Sequence, residues 1–198
     1  SVKSFLPDIC SSDIAFCPWL DITLDATRLP FRDSSLSNII GIDALHHLPD
    51  PVAFLQEAQR CLKPSGRLLL IEPYLTPVSR VCWRLHREAI DESVDLFYAP
   101  ANDRDEPKSP YEANQAIPTI LFRDRLSRCQ DEVPRLRLVT RRPFSFLTYP
   151  LSLGFQPWQL IPTVLLPVVK VLERPLERWA EWCAFRIFIV MEREGSHA

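Results

Sequence analysis

The most informative stretch of the chain is residues 24–73, LDATRLPFRDSSLSNIIGIDALHHLPDPVAFLQEAQRCLKPSGRLLLIEP. Asp50 followed by Pro51 is a typical helix start, because an acidic N-cap precedes a proline at the first helical position. Apolar residues then recur at helical spacing on one face: Val52, Leu55, Ala58 and Leu62. The sequence KPSG at 63–66 is predicted to end this helix. The apolar run 67–71 that follows is predicted to be a strand buried on both faces of a parallel sheet.

Further short strands are predicted on the N-terminal side of the helix, at 8–14, 20–25 and 38–42. Strands that alternate with helices indicate right-handed crossovers and a mostly parallel sheet. Such sheets bind their ligands beyond the carboxyl ends of the strands. Four successive predicted strands end at or beside an acid: Asp13, Asp25, Asp43 and Glu72. This edge of the sheet is therefore the predicted binding site.

Several short motifs in residues 8–75 resemble, in order and spacing, the class I S-adenosylmethionine-dependent methyltransferases, specifically the methyltransferase type 11 group. The motifs are Asp25-Ala26, Leu29-Pro30-Phe31, Asp33-Ser34-Ser35, Leu45-His46-His47-Leu48, Glu57 with Arg60, and Leu62-Lys63-Pro64-Ser65-Gly66-Arg67. The resemblance implies an α/β, Rossmann-like sheet that is mostly parallel with its last strand antiparallel, and FRIFIV at 185–190 fits that last strand. It also implies S-adenosylmethionine as cofactor and a small-molecule methyl acceptor.

The resemblance implies roles for the strand-end residues as well. Asp13 matches the position that accepts hydrogen bonds from the ribose hydroxyls of the cofactor. Asp25 matches the acid that takes the adenine amino group, with the amide of Ala26 beside it. The segment from Asp43 to His46 lies where the family contacts the methionine part of the cofactor. No metal site is expected.

Glycine is scarce in this chain, with only 4 Gly against 19 Pro. No glycine-rich loop is present that would let the backbone approach a nucleotide closely. The resemblance places the family's first strand and its glycine-rich turn just before Ser1. We therefore expect a sheet that is missing its first strand, and a fragment whose methyl transfer is impaired. The alternative is a non-catalytic, truncated methyltransferase-fold remnant or scaffold.

Methyl transfer needs a general base only when the acceptor must lose a proton, and histidine is well suited to that role near neutral pH. His46, His47 and His86 are the candidates, but the first two could simply cap or fill space, and His86 could lie on a solvated helix face. Glu72 and His86 are also weaker candidates for substrate contact, although Glu72 could only satisfy backbone donors. No catalytic residue is assigned.

The whole chain, 1–198, is predicted to be one domain with substrate-side insertions at about 76–120 and 143–183. A helix is predicted at 173–183, with Leu176, Trp179, Ala180 and Cys183 on one face. The uncharged stretch 151–169 contains three prolines, which disfavour a transmembrane span. A buried or substrate-facing pair of short helices is preferred there, and contact with a membrane surface through 151–172 stays open.

Composition narrows the partners and the compartment. The net charge of −2 provides no broad basic field for nucleic acid. The 6 cysteines lack zinc-type spacing and indicate reduced thiols. No basic region followed by an apolar run is visible at the N-terminus. We therefore expect a cytoplasmic protein, and the sequence makes no prediction about its oligomeric state.

Overall fold

The computed structural model describes residues 5–83, 89–97, 113–152 and 160–195. The strands in chain order are β1 (Ser12–Asp13), β2 (Ile22–Thr23), β3 (Leu36–Ile42), β4 (Leu62–Pro73), β5 (Leu136–Phe144) and β6 (Arg186–Arg193). The α-helices are α1 (Pro51–Cys61), α2 (Pro77–Trp83), α3 (Ile117–Thr119), α4 (Leu126–Glu132), α5 (Thr148–Ser152), α6 (Leu166–Glu173) and α7 (Ala180–Cys183). Short 3-10 turns cover Leu45–His47, Thr163–Leu165 and Arg174–Trp179, and a π-helical turn at Ile120–Asp124 lies between α3 and α4.

The main sheet has four strands in the order β3–β4–β6–β5. β3 and β4 are parallel, with Ile40 opposite Leu69 and Ile42 opposite Ile71. β6 is antiparallel to both of its neighbours, β4 and β5. β1 and β2 form a separate parallel pair. The predicted α/β sheet with an antiparallel last strand is therefore confirmed.

The outer edge of β3 pairs with no other strand within the described ranges. On one face of β3, Ile40 and Ile42 are exposed by 37% and 43%. In β4, Leu68 and Leu70 are fully buried, but Leu69 is only half-buried. The prediction that this apolar run is buried on both faces is therefore wrong for one face, because the described part of the chain covers that face incompletely.

Helix α1 begins where its sequence predicts. Oδ1 of Asp50 accepts a hydrogen bond from the backbone N–H of Ala53 at 2.8 Å, and Pro51 is the first helical residue. The four residues of the predicted apolar face are buried in the same core cluster as Leu68 and Leu70 of β4. Burial of this face holds α1 against the sheet, because most helix stability in proteins comes from such packing.

The helix predicted at 173–183 is instead a 3-10 turn, Arg174–Trp179, followed by α7. Leu176 and Ala180 pack against the core as predicted. Trp179 does not lie on that buried face, and its side chain is 54% exposed. The neighbouring Ala180 occupies the inward position, so the larger indole is left at the border with solvent.

Of the buried or substrate-facing pair of short helices preferred for 151–169, the described part is mostly exposed and so does not fit the buried alternative. This described part contains the end of α5, the turn Thr163–Leu165 and the first turn of α6. Val164 and Val168 are exposed, whereas Val169 is buried. Residues 153–159 lie outside the described residues. Among the described helices, none combines the length and the apolar character that crossing a membrane requires.

Candidate functional site

Parallel pairing brings the ends of β3 and β4 to the same edge of the main sheet. Asp43 directly follows β3, and its backbone N–H donates to the carbonyl of Ile71 at 3.0 Å. Asp43 has a positive φ of 50°, which turns the chain away from the strand direction. The turn leads into the 3-10 segment Leu45–His47, so the loop after β3 folds back over the end of β4.

Glu72, near the end of β4, is fully buried beneath this loop. Its Oε1 accepts hydrogen bonds from the backbone N–H groups of Ala44 at 3.0 Å and Leu45 at 2.9 Å. Its Oε2 lies 2.7 Å from Nδ1 of the buried His46. A buried carboxylate must be matched by donors of this kind, because an unpaired one would be very costly. Glu72 therefore shapes the loop from inside the fold.

Asp43 has a partner that sequence reasoning missed. Nη2 of Arg186, the first residue of β6, lies 2.6 Å from Oδ1 of Asp43, and both side chains are largely buried. The guanidinium also stacks 5.5 Å above the ring of Tyr149. The one available sequence signal was a charged residue at the start of an otherwise apolar strand.

Three potential metal-ligating groups meet at this edge, since the ligand atoms of Asp43, His46 and Glu72 all lie within 4.8 Å of one another. Asp43 is already matched by Arg186, and both oxygens of Glu72 are engaged by the loop. The cluster is therefore a hydrogen-bonded network that holds the loop after β3 in one conformation.

The other two strand-end acids lie at the ends of the parallel pair β1 and β2. Oδ1 of Asp13 accepts the backbone N–H of Ala15 at 3.0 Å, and Oδ1 of Asp25 accepts both the N–H and the hydroxyl of Thr27 at 2.8 Å. Both aspartates are exposed, while Ala26 beside Asp25 packs against the core. As far as the structure describes the chain, neither Oδ2 atom makes a hydrogen bond, so each is free to accept one.

The motif pair Glu57 and Arg60 supports the segment that leads from this site into β3. Arg60 donates to the carbonyls of Leu29 and Phe31 and pairs with Asp33 at 2.7 Å. The hydrogen bond from Arg60 holds the pKa of Glu57 below its ordinary value. In the sequence, Glu57 and Arg60 served only as motif residues of the resemblance. In the structure, their hydrogen bonds connect the loop before β3 to α1.

The structure thus brings the predicted site residues together in two groups. One group is Asp13 and Asp25 with Ala26, and the other is Asp43, His46 and Glu72. His86 lies outside the described residues. Glu72 is buried, so its geometry favours control of the loop over direct contact with a substrate.

These residues fit the chemical groups of S-adenosylmethionine. The free Oδ2 atoms of Asp13 and Asp25 are the acceptors that ribose hydroxyls and an adenine amino group require. Hydrogen bonds to Glu72 hold the loop from Asp43 to His46 at the ends of the parallel strands β3 and β4. This set of hydrogen-bond acceptors is therefore compatible with a nucleoside-containing cofactor.

Part of the chain is similar in sequence to known methyltransferases. Residues 11–70 match the family model described as a methyltransferase domain. The chain is 36% identical over 87 residues to the ubiquinone/menaquinone biosynthesis C-methyltransferase of Paracoccus denitrificans, covering 42% of this chain and 34% of that protein. It is 40% identical over 53 residues to the 27-O-demethylrifamycin SV methyltransferase of Amycolatopsis mediterranei, covering 27% of this chain and 20% of that protein.

A solved structure shares the fold. The chain superposes on a SAM-dependent methyltransferase from Archaeoglobus fulgidus with a TM-score of 0.50 and 14% identity, covering 92% of this chain and 74% of that one. The chain spans about a third or less of the length of the two curated relatives, whose covered shares are 34% and 20%. The fold is therefore shared with this SAM-dependent methyltransferase, and residues 11–70 are similar to a methyltransferase domain, as the resemblance to the class I S-adenosylmethionine-dependent methyltransferases implied. S-adenosylmethionine is the cofactor that this class indicates.

Proposed function

We propose that this protein binds S-adenosylmethionine at the carboxyl ends of β1 to β4 and transfers its methyl group to a small-molecule acceptor. The observation that carries the proposal is the pair of free carboxylate oxygens, Oδ2 of Asp13 and of Asp25, beside two parallel strand ends. A network of buried hydrogen bonds holds the loop after β3 at the ends of the other parallel pair, β3 and β4.

Each residue has a defined part in the proposed site. Asp13 accepts hydrogen bonds from the ribose hydroxyls, and Asp25 accepts one from the adenine amino group, next to the Ala26 amide. The segment from Asp43 to His46 contacts the methionine part. Glu72 acts through that segment, because its own oxygens are bonded to the loop and not free for a ligand.

When bound, S-adenosylmethionine would supply an electrophilic methyl group for transfer to the acceptor. The protein's part is to position the reactants, which can account for most of the acceleration of such a reaction. His46 is buried and directed at Glu72, so it serves to hold the loop.

The acceptor is proposed to be a small organic metabolite. The two curated relatives carry names that refer to quinone biosynthesis and to 27-O-demethylrifamycin SV. Quinols and polyketide hydroxyls are therefore the first acceptors to be tested with this protein.

One observation favours the alternative, a methyltransferase-like fold without turnover. Within the described residues the outer edge of β3 has no strand partner, and Ile40 and Ile42 beside it are exposed. A strand and a glycine-rich turn along that edge would complete the cofactor site. A protein that lacks them would keep the fold but bind the cofactor weakly.

The test is calorimetric titration of the full-length gene product with S-adenosylmethionine and S-adenosylhomocysteine, followed by a methyl-transfer assay on a panel of quinols and phenols. Saturable binding and a mass increase of one methyl group in an acceptor are expected. A folded protein, judged by circular dichroism, that gives no heat at millimolar cofactor would establish the non-catalytic alternative.

A further inference from the structure

A row of exposed apolar side chains runs along the C-terminal helical segment between residues 160 and 183. They recur from the turn Thr163–Leu165 through α6 and the 3-10 turn Arg174–Trp179 to α7. We call these residues the apolar ridge: Val164, Val168, Leu172, Trp179 and Trp182. Each is more than half exposed, and clustered exposure of large apolar side chains is typical of an interaction site.

The opposite side of the segment is anchored to the body of the protein. Val169 is buried, and Leu176 and Ala180 pack against the main core cluster. The apolar ridge is therefore the outer face of a docked segment. Its five side chains are exposed although the segment that carries them is packed on the core.

The acidic residues of the segment are all engaged by the body of the protein. Glu173 accepts hydrogen bonds from three successive backbone N–H groups at 146–148. Glu177 and Glu181 pair with arginines of β5 at 3.6 and 2.7 Å. Two of the three negative charges are thus paired with cations of β5, and the third is held by backbone donors.

The basic residues of the segment are placed differently. Lys170, Arg174 and Arg178 follow one another at intervals of four and are all exposed. None of them forms an ion pair with another residue in the part of the chain that the structure describes. A row of cations without local counter-charges therefore accompanies the apolar ridge.

We propose that the apolar ridge seats this protein on the surface of an anionic lipid bilayer. Apolar side chains enter the boundary between headgroups and acyl chains, tryptophans are favoured at that depth, and flanking cations attract anionic headgroups. α6 has only 8 residues, so it lies along the surface.

Charge favours the bilayer over a second copy of the chain as the occupant. A symmetric dimer through the ridge would bring two sets of the same three cations together. An anionic surface instead supplies their missing counter-charges.

The experiment is co-sedimentation of the full-length protein with phosphatidylglycerol-containing vesicles and with pure phosphatidylcholine vesicles. The protein is expected to bind the anionic vesicles. This binding is expected to fall strongly at about 1 M salt, because the screening length is then about 3 Å. Replacing Lys170, Arg174 and Arg178 by Gln is expected to weaken binding about fivefold per charge. The double variant Val168→Glu/Leu172→Glu is expected to weaken it about tenfold or more.

The matched control is Val139→Glu, which alters an exposed valine on β5 and is expected to leave vesicle binding unchanged. In Trp179→Phe/Trp182→Phe, the blue shift of tryptophan emission on adding vesicles is expected to disappear. No vesicle binding by the folded wild-type protein would overturn the proposal, as would equal binding by the wild type and the Val168/Leu172 variant. A dimer in sedimentation analysis that this variant converts to monomer would assign the ridge to a second copy instead.

Discussion

Glu72 and His46 form a buried pair at the ends of two parallel strands, with Oε2 of the carboxylate 2.7 Å from Nδ1 of the imidazole. The other carboxylate oxygen accepts two backbone N–H groups from the turn that carries His46. One side chain of β4 therefore sets both the backbone and the side-chain conformation of the loop after β3. In the proposed site, this makes Glu72 a positioning residue for the cofactor.

Glu72→Gln keeps an oxygen for the two N–H groups but changes the atom that faces His46. We expect cofactor affinity to fall about tenfold, or about 1.4 kcal/mol, as the loop loses its preferred geometry. Glu72→Ala leaves buried donors unpaired and is expected to destabilise the fold by about 3 kcal/mol. Calorimetry with S-adenosylhomocysteine and thermal unfolding measure the two effects.

The control is Glu92→Gln, which removes an exposed ion pair with Arg80 and is expected to change neither quantity measurably. Wild-type cofactor affinity in a folded Glu72→Gln protein would show that the loop conformation does not control binding.

Asp25→Asn tests the proposed adenine contact. The substitution keeps Oδ1 for Thr27 but replaces the free Oδ2 by a donor, which cannot accept from an amino group. We expect about a tenfold loss of cofactor affinity with unchanged stability. Asp91→Asn is a matched control, because Oδ1 of Asp91 makes the same two bonds to Ser93 in a different part of the chain. Equal effects of the two variants would remove Asp25 from the site.

Gly66→Ala tests the close approach of β4 to the start of β3. A Cβ at this position would lie 2.8 Å from the carbonyl oxygen of Lys63 and 2.9 Å from that of Ser37. Because both are backbone atoms, relief requires the strands to shift, and we expect a loss of about 2 kcal/mol in the free energy of unfolding. Gly195→Ala, where nothing lies within 4 Å, is expected to be neutral. Chemical denaturation of the two variants checks this, and equal stabilities would contradict it.

Acid should weaken the link between Glu57 and Arg60. The hydrogen bond from Arg60 lowers the pKa of Glu57 from its ordinary 4.5 in the folded protein. A lowered carboxyl pKa gives stability that is fully present above the unfolded-state value and is lost as the pH falls through the folded-state value. We expect the stability difference between wild type and Glu57→Gln to be constant near neutral pH and to shrink below about pH 4.5.

Urea unfolding across this pH range measures the difference. Arg60→Met should abolish the same acid-dependent contribution, because the donor that lowers the pKa is gone. A contribution that persists in Arg60→Met would assign the acid dependence to other carboxyl groups.

Much of the fold was readable from local patterns. The antiparallel last strand, which the family resemblance implied, is confirmed. The N-cap Asp50 with Pro51 and the apolar face of α1 were predicted correctly from local patterns. These features depend on neighbours within a few residues, so spacing and capping chemistry are enough to indicate them. The resemblance to a methyltransferase family is confirmed for residues 11–70. It could be recognised from the sequence because its motifs lie in one continuous segment.

The partners within the site could not be read in this way. Arg186 reaches Asp43 only because β6 pairs with β4 in one particular register, and Glu72 reaches His46 only because β3 and β4 end together. Trp179 was placed on a buried face by helical spacing, yet it is exposed because Ala180 takes the inward position. Local periodicity specifies the elements and the acids at their ends. How distant strands pair, and which apolar face is covered, depend on the packing of the whole chain. This packing decides which acids are bonded within the protein and which stay free for a ligand. It also decides where the apolar ridge lies.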